Sequence, residues 1–297
     1  MADDIIRGEP PLLSTEILAN VSHEFRGPLT SIKGYAATLR RHEQRLSLEE
    51  RRAFLQAIEE ASDHLALLMD RFFELAQLEA GILPFVPEPV SLVSLVQEAM
   101  QTAQKYVRTN QQDVAHGLKQ SPLTLNLEHM AGLSPLEEPL IWADRQRIHE
   151  VLLHLLENAL LYSLQGSPVE IIIRPLQLSN ERQKFPRSVH PTLLDKQPPA
   201  QQQDPSGFEI CICDHGIGIP GEHLEQIFER FYRIDTRLVR EINGLGVGLT
   251  ICKHIVEMHC GHIWVESQVG QGSTFHLWFP IYRSSASSKQ ANKPNHI

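Results

Sequence analysis

The stretch Asn20-Val21-Ser22-His23-Glu24-Phe25-Arg26-Gly27-Pro28-Leu29 decides how the chain folds. Around it, apolar residues recur at helical spacing: Ile17, Val21, Phe25, Leu29, Ile32, Tyr35 and Leu39. At about 100° per residue they make one narrow seam on a helix from Ser14 to Arg41. His23 lies roughly opposite that seam, about 180° away. The imidazole is therefore held out on a rigid helix, next to the carboxylate of Glu24. A neutral imidazole has a free lone pair, and a neighbouring carboxylate can orient the ring and take its other proton. An isolated surface His–Glu pair carries no chemistry. The second half of the chain raises this one above that reading.

Pro28 cannot donate to the carbonyl of Glu24, so the helix is expected to kink one turn after His23 while its seam continues in phase. Ser47-Leu48-Glu49-Glu50 is a capping box that starts a second helix. Its seam runs through Phe54/Leu55, Ile58, Ala61/Ser62, Leu65, Leu68/Met69, Phe72 and Leu75/Ala76, and Gly81 stops it. Two such helices make an antiparallel hairpin. One hairpin cannot bury two whole seams, so pairing with a second copy into a dimeric four-helix bundle is expected. The first domain spans residues 14–81, behind a loose arm at 1–13.

Pro84, Pro87 and Pro89 mark a linker at 82–90, and a second domain follows over 91–283. Its elements alternate: helix Ser91–Tyr106, strands Leu123–Leu127 and Leu140–Ala143, helix Arg145–Tyr162, strands Val169–Arg174 and Phe208–Cys213, helix Leu249–His259, and strands His262–Glu266 and Thr274–Phe279. That order predicts an α/β sandwich, one sheet with helices on one face. Residues 175–207, with Pro198-Pro199 and Gln201-Gln202-Gln203, break the pattern and read as a mobile insertion at a hairpin tip. The tail, 284–297, reads as disordered.

The formal net charge of -9 argues against nucleic-acid binding. The four cysteines form no secreted framework, which points to a reduced, cytoplasmic protein. Zinc binding by Cys252, His259, Cys260 and His262 has no paired ligand spacing behind it. No apolar run is long enough for a transmembrane helix, so no membrane insertion is expected.

Three separated motifs fit one ligand. Leu155-Leu156-Glu157-Asn158-Ala159 puts a neutral amide oxygen on a helix, suited to a hydrated Mg²⁺ that also touches phosphates. Asp214-His215-Gly216-Ile217-Gly218-Ile219-Pro220 ends a strand with a carboxylate able to accept an adenine amino hydrogen, and its glycines let the backbone approach a flat base. Asn243-Gly244-Leu245-Gly246-Val247-Gly248-Leu249-Thr250 offers backbone N–H groups and a helix N-terminus to phosphates. It is not a P-loop, because Lys follows only at Lys253.

In this order, with Ile227-Phe228-Glu229-Arg230-Phe231-Tyr232-Arg233 between the second and third, these motifs resemble the N, G1, F and G2 boxes of sensor histidine kinases. Ser22-His23-Glu24-Phe25-Arg26-x-Pro28-Leu29 resembles that family's phospho-acceptor box, and the likeness covers roughly residues 14–282. The resemblance implies a dimeric, ATP- and Mg²⁺-dependent kinase with a Bergerat-type ATP-binding domain. It makes His23 the acceptor of the γ-phosphoryl group and Glu24 the base beside it. It gives Asn158 the Mg²⁺ and Asp214 the adenine. Gly216, Gly218 and Ile219 shape the pocket, and Tyr162, Phe231 and Leu249 close it. Gly244, Gly246 and Gly248 cradle phosphates, and Thr274 sits on the floor. The segment from Tyr232 to Asn243, with Arg233, Arg237 and Arg240, becomes a lid. The phosphoryl group then passes to an aspartate of a response regulator receiver domain, and a separate sensor protein is an expected further partner.

Four positions depart from the family pattern. Gly27 stands where many members carry Thr or Asn to aim water at the regulator's phosphoaspartate, which implies weak phosphatase activity. His154 replaces a second Asn near Mg²⁺, Leu161 a Lys near the phosphates, and His215 an Asn. His154 and Leu161 suit an alternative, a catalytically degenerate ATP-binding scaffold that modulates another kinase. Intact His23, Glu24 and Asp214 favour the active kinase.

Overall fold

The computed structural model describes residues 15–109, 121–127, 139–164, 166–177, 206–234 and 245–282. The N-terminal arm, residues 178–205 of the insertion, lid residues 235–243 and the tail lie outside the described residues. The chain divides into two compact units: residues up to Leu83 with Ile227–Ile251, and Pro84–Gln226 with Cys252 onward.

The first unit holds the hairpin, α1 (Thr15–Arg41) and α2 (Leu48–Glu79). α2 starts as its sequence demands. Ser47 Oγ accepts from the Glu50 N–H at 3.2 Å, and Glu50 Oε2 accepts from the Ser47 N–H at 2.8 Å. Such a reciprocal cap satisfies backbone donors that the first turn of a helix leaves without an intrahelical partner. α1 runs through Pro28, which removes one rung of the hydrogen-bond ladder and leaves the seam in phase. Across the hairpin Phe25 meets Phe72 edge-on, with ring centroids 6.5 Å apart, and Tyr35 lies 5.6 Å from Phe54. Val21, Leu68 and Leu75 are buried, but Leu29, Leu55, Leu67, Met69 and Phe73 remain 43–57% exposed.

The second unit contains β1 (Glu88–Ser91), α3 (Leu92–Thr109), β2 (Leu123–Leu127), β3 (Leu140–Ala143), α4 (Arg145–Tyr162), β4 (Val169–Gln177) and β5 (Ser206–Cys213). After α5 (Gly248–Met258), whose first turn belongs to the other unit, come β6 (His262–Gln268) and β7 (Gly272–Pro280). One sheet has the order β2-β4-β5-β7-β6, with β2 and β4 parallel and every other pair antiparallel.

Three details differ from expectation. The strand Leu140–Ala143 stays out of the sheet and pairs with β1, a strand formed inside the Pro-rich linker. β4 and β5 run on to the pair Gln177↔Ser206, so the stretch between them begins at residue 178 and not at 175. The last hairpin is also longer, closing on Gln268↔Gly272.

Register sorts the sheet into two faces. Ile171, Ile173, Phe208, Ile210, Ile212, Phe275, Leu277 and Phe279 share the buried face with the apolar sides of α3 and α4. The other face carries Arg174, Glu209, Cys211, Cys213, Thr274, His276 and Trp264.

A buried histidine fastens the start of α4. The Asp144 N–H donates to His259 Nε2 at 2.9 Å, and the His259 ring contacts the Ile255 carbonyl through Nδ1 at 2.6 Å. Asp144 Oδ1 accepts from the Arg147 N–H, capping α4, and Oδ2 accepts from the Val86 N–H of the linker. Phe85 packs edge-on against the His259 ring at 4.9 Å. Burial pulls the His259 imidazole from its ordinary 6.5 to about 4, against the Ile255 hydrogen bond and the Asp144 charge, which favour protonation. Below pH 6.5 the unfolded chain therefore binds a proton that the folded chain refuses, and stability falls as pH drops from 6.5 towards 4. Denaturant titration is expected to show a loss of about 2 kcal/mol between pH 7 and pH 5 from this group alone. His259→Gln should flatten that slope; an unchanged slope would show that another group carries it.

Candidate functional site

β5 delivers Asp214 to the end of the sheet, where the chain must turn at once. The Asp214 N–H donates to the Ser273 carbonyl at 2.8 Å, and its Oδ1 accepts from the Gly216 N–H at 2.8 Å. The carboxyl group is buried, only 7% exposed. Burial pushes it above the usual aspartate range, and backbone hydrogen bonds from Gly216 and Ser273 pull the other way. A buried carboxylate held by backbone donors is a fixed, directional acceptor.

The glycines around it are close-contact positions. A Cβ at Gly216 would meet the Tyr162 carbonyl oxygen at 2.2 Å, and one at Gly218 would meet the Gln268 carbonyl oxygen at 2.1 Å. Gly218 also has φ +68°, a left-handed conformation that favours glycine. Ser163 at the C-terminus of α4 bridges to Gly216, so α4 and the Asp214 turn are locked together. The Ile219 N–H donates to Ser267 Oγ at 2.8 Å, and Ser267 Oγ donates to the Gly272 carbonyl at 2.7 Å.

One turn before Tyr162, Asn158 is half-buried on α4. Its Nδ2 lies 3.3 Å from His154 Nε2, which leaves Oδ1 as the amide's acceptor for other groups. His215, the other unusual residue of this region, places Nδ1 3.1 Å from the Pro168 carbonyl.

Thr274 does not join this group. Register pairs it with Cys213, and its hydroxyl hydrogen-bonds that thiol on the far face of the sheet. The residue beside Asp214 is Ser273, 7% exposed and 3.0 Å from Ser267 Oγ. Period-two alternation from a correctly placed strand start would have put Ser273 on that side; the expected start at Thr274 hid it.

The other unit carries the remaining residues expected at the site. α1 holds His23 between Ser22 and Glu24; the His23 side chain is outside the described set. Glu24 Oε1 lies 3.6 Å from Arg233 Nη1, a partly exposed ion pair worth about 1 kcal/mol or less. Phe231 takes a left-handed φ of +62°, a strained position for an aromatic residue. A Cβ at Gly246 would meet the Tyr232 carbonyl oxygen at 2.8 Å, so the glycine run packs tightly on this segment. Gly248 and Leu249 open α5, whose Thr250 Oγ1 donates to the Phe228 carbonyl at 3.1 Å. Gly244, Arg237 and Arg240 lie outside the described residues.

Comparison with known proteins decides the family. Residues 13–81 match the His Kinase A (phospho-acceptor) domain, and residues 143–283 match the histidine kinase-, DNA gyrase B-, and HSP90-like ATPase. The chain belongs to the histidine kinase family. It is 31% identical to the circadian input-output histidine kinase CikA of Synechococcus elongatus over 89% of this chain and 30% of CikA. It is 33% identical to the sensor histidine kinase AruS of Pseudomonas aeruginosa over 94% of this chain and 24% of AruS. The chain thus spans about a third or less of these relatives. Its fold is similar to that of the Acinetobacter baumannii histidine kinase AdeS, with a TM-score of 0.55 at 19% identity over 88% of this chain and 98% of that one. Full-length ShkA in complex with AMPPNP gives 0.56 at 22% identity, over 92% of this chain and 47% of that one. The α1–α2 hairpin is thus the histidine kinase's phospho-acceptor domain, and the sheet with α4 is its ATPase domain. Among the described residues no helix is long and apolar enough to cross a membrane.

Proposed function

We propose that this histidine kinase uses ATP to phosphorylate its own His23 and passes the phosphoryl group to an aspartate of a response regulator receiver domain. The observation that supports this most is the Asp214 turn: a buried carboxylate, fixed by backbone donors, bordered by glycines that no side chain could replace. It accepts the adenine amino hydrogen. Gly216, Gly218 and Ile219 shape the base slot beside Tyr162. Gly244, Gly246 and Gly248 offer N–H groups to the phosphates.

The residues fit Mg²⁺ as well. Asn158 gives one hard, neutral oxygen, which suits an ion that keeps several waters and phosphate oxygens. His154 contacts the amide nitrogen and does not compete as a ligand, so this departure from the family pattern is compatible with activity. When bound, ATP supplies the γ-phosphoryl group and Mg²⁺ neutralises its oxygens. The remaining chemistry belongs to the chain. A ring nitrogen of His23 forms the new bond to phosphorus as the bond to the ADP oxygen breaks, and Glu24 takes the imidazole proton. The weak Arg233 pair leaves Glu24 free to do so. Acid-labile, alkali-stable label on His23 from γ-labelled ATP tests this step.

The half-exposed Leu29, Leu55, Leu67, Met69 and Phe73 support a homodimer in which a second hairpin completes a four-helix bundle. Cys211, Cys213, Cys252 and Cys260 are free thiols, in keeping with a cytoplasmic phosphorelay.

Gly27 supports weak phosphatase activity, since it has no polar group to direct water. A Cβ built there meets nothing within 4 Å, so position 27 has room for the first carbon of a side chain. Dephosphorylation of a phosphorylated partner regulator is expected to be slow with the wild type and faster with Gly27→Thr. A wild-type rate that drops on Gly27→Ala would contradict this.

A further inference from the structure

On the face of the sheet opposite α3 and α4, three to five residues before Asp214 on β5, three different donors converge. Glu209 and Cys211 stand two apart on β5, and His276 is the cross-strand partner of Cys211 on β7. Their ligand atoms all lie within 4.8 Å of one another. His276 Nδ1 is 2.8 Å from Glu209 Oε1 and 3.4 Å from Cys211 Sγ. All three residues are buried, at 1%, 2% and 5% exposure. We propose that Glu209, Cys211 and His276 bind a thiophilic divalent transition metal of the Zn²⁺ class, with water in the fourth position.

The donor set selects the metal. A thiolate, an imidazole and a carboxylate suit Zn²⁺ and its neighbours, and exclude Mg²⁺ and Ca²⁺, which want oxygen alone. Ligand atoms around a tetrahedral Zn²⁺ stand roughly 3.3–3.7 Å apart. The Sγ–Nδ1 distance already has that value, and the Nδ1–Oε1 distance has to open by about half an ångström.

The surroundings match a metal centre's outer contacts. Arg174 Nε holds Glu209 through the other oxygen, Oε2, at 2.6 Å, so Oε1 is the oxygen turned to the cluster. Trp264 stacks flat on the His276 ring, with centroids 4.8 Å apart and 2° between planes. His276 Nε2 is buried and has no hydrogen-bond partner among the described residues, but Glu266 Oε2 waits 3.9 Å away. In a plain ion network that nitrogen is an unexplained loss. With Nδ1 on the metal, the ring carries its proton on Nε2 and points it at Glu266, the carboxylate–histidine–metal arrangement.

Binding swaps protons for metal. The Cys211 proton leaves to solvent, and the Nδ1 proton of His276 is replaced by one on Nε2. Burial and the Glu209 charge push the free thiol up to about 12, so without metal Cys211 stays protonated. The bound ion cross-links β5 to β7, the strands that carry Asp214 and Ser273 at their pocket ends. The site stands whether or not His23 is phosphorylated.

The test uses the full untagged chain and Co²⁺ as a spectroscopic probe. One Co²⁺ per chain should bind with a thiolate-to-metal charge-transfer absorption, and Zn²⁺ should displace it and raise the melting temperature. Cys211→Ala should abolish the band and weaken Zn²⁺ binding by at least about 100-fold, and His276→Gln should weaken it by a similar factor. Cys213→Ser, Cys252→Ala and Cys260→Ser should each keep the band. If Cys211→Ala fails to fold, retention in those three assigns the thiolate to Cys211. No band in the wild type, a band that survives Cys211→Ala, or loss of the band in any of the three overturns the proposal.

Discussion

Asp214→Asn is expected to lower the affinity for a non-hydrolysable ATP analogue by about 10- to 100-fold while the melting temperature stays level or rises. The two halves of that result have one cause. Burial raises the Asp214 carboxyl group above its usual range, so its charge opposes folding at neutral pH. The neutral amide has the same shape and keeps an oxygen for the Gly216 N–H, 2.8 Å away. Relief of the buried charge offsets the weaker hydrogen bonds from Gly216 and Ser273, so folding loses little, and what goes is the charged acceptor for the adenine amino group. Calorimetric titration together with a thermal melt separates the two. An unchanged affinity would remove Asp214 from the nucleotide site, and a lost fold would show that its charge is structural.

Gly272→Ala should be the most damaging single methyl in the sheet unit. Gly272 has φ +99°, and a Cβ there would stand 2.0 Å from the Asp214 carbonyl oxygen. Left-handed strain adds about 1 kcal/mol and the backbone clash about 2 more, giving roughly 3 kcal/mol. For a unit of this size that is a fall in Tm of roughly 6–12 °C. Gly270 supplies the control. Its φ is +78°, but nothing lies within 4 Å of its Cβ position, so Gly270→Ala should lower Tm by roughly 2–4 °C. Equal effects at the two sites would show that strain alone, and not the close approach to Asp214, makes position 272 a glycine.

The elements legible in sequence were those with local signals. The Ser47–Glu50 capping box, the two seams and the helix Arg145–Tyr162 stand where their patterns put them. What escaped was set by distant partners. β1 forms in a Pro-rich linker because β3 is there to pair with it. Strands β4 and β5 extend through Pro175 because ladder pairing outweighs local propensity. At the site, Asp214 and its glycines were legible because tight turns leave glycines in sequence. Ser273 was missed by one residue of strand phase, which moves a side chain to the other face. The Glu209–Cys211–His276 cluster was beyond reach, since 65 residues separate Cys211 from His276 and only the β5–β7 register joins them.

The most direct test of the central claim is incubation with γ-labelled ATP and Mg²⁺, comparing the wild type with His23→Gln. The wild type should take up label that is lost in acid and kept in alkali, and His23→Gln should take up none while still binding nucleotide. Label that persists in His23→Gln, or a wild type that binds ATP and never becomes labelled, would contradict the assignment of His23 as the phosphoryl acceptor.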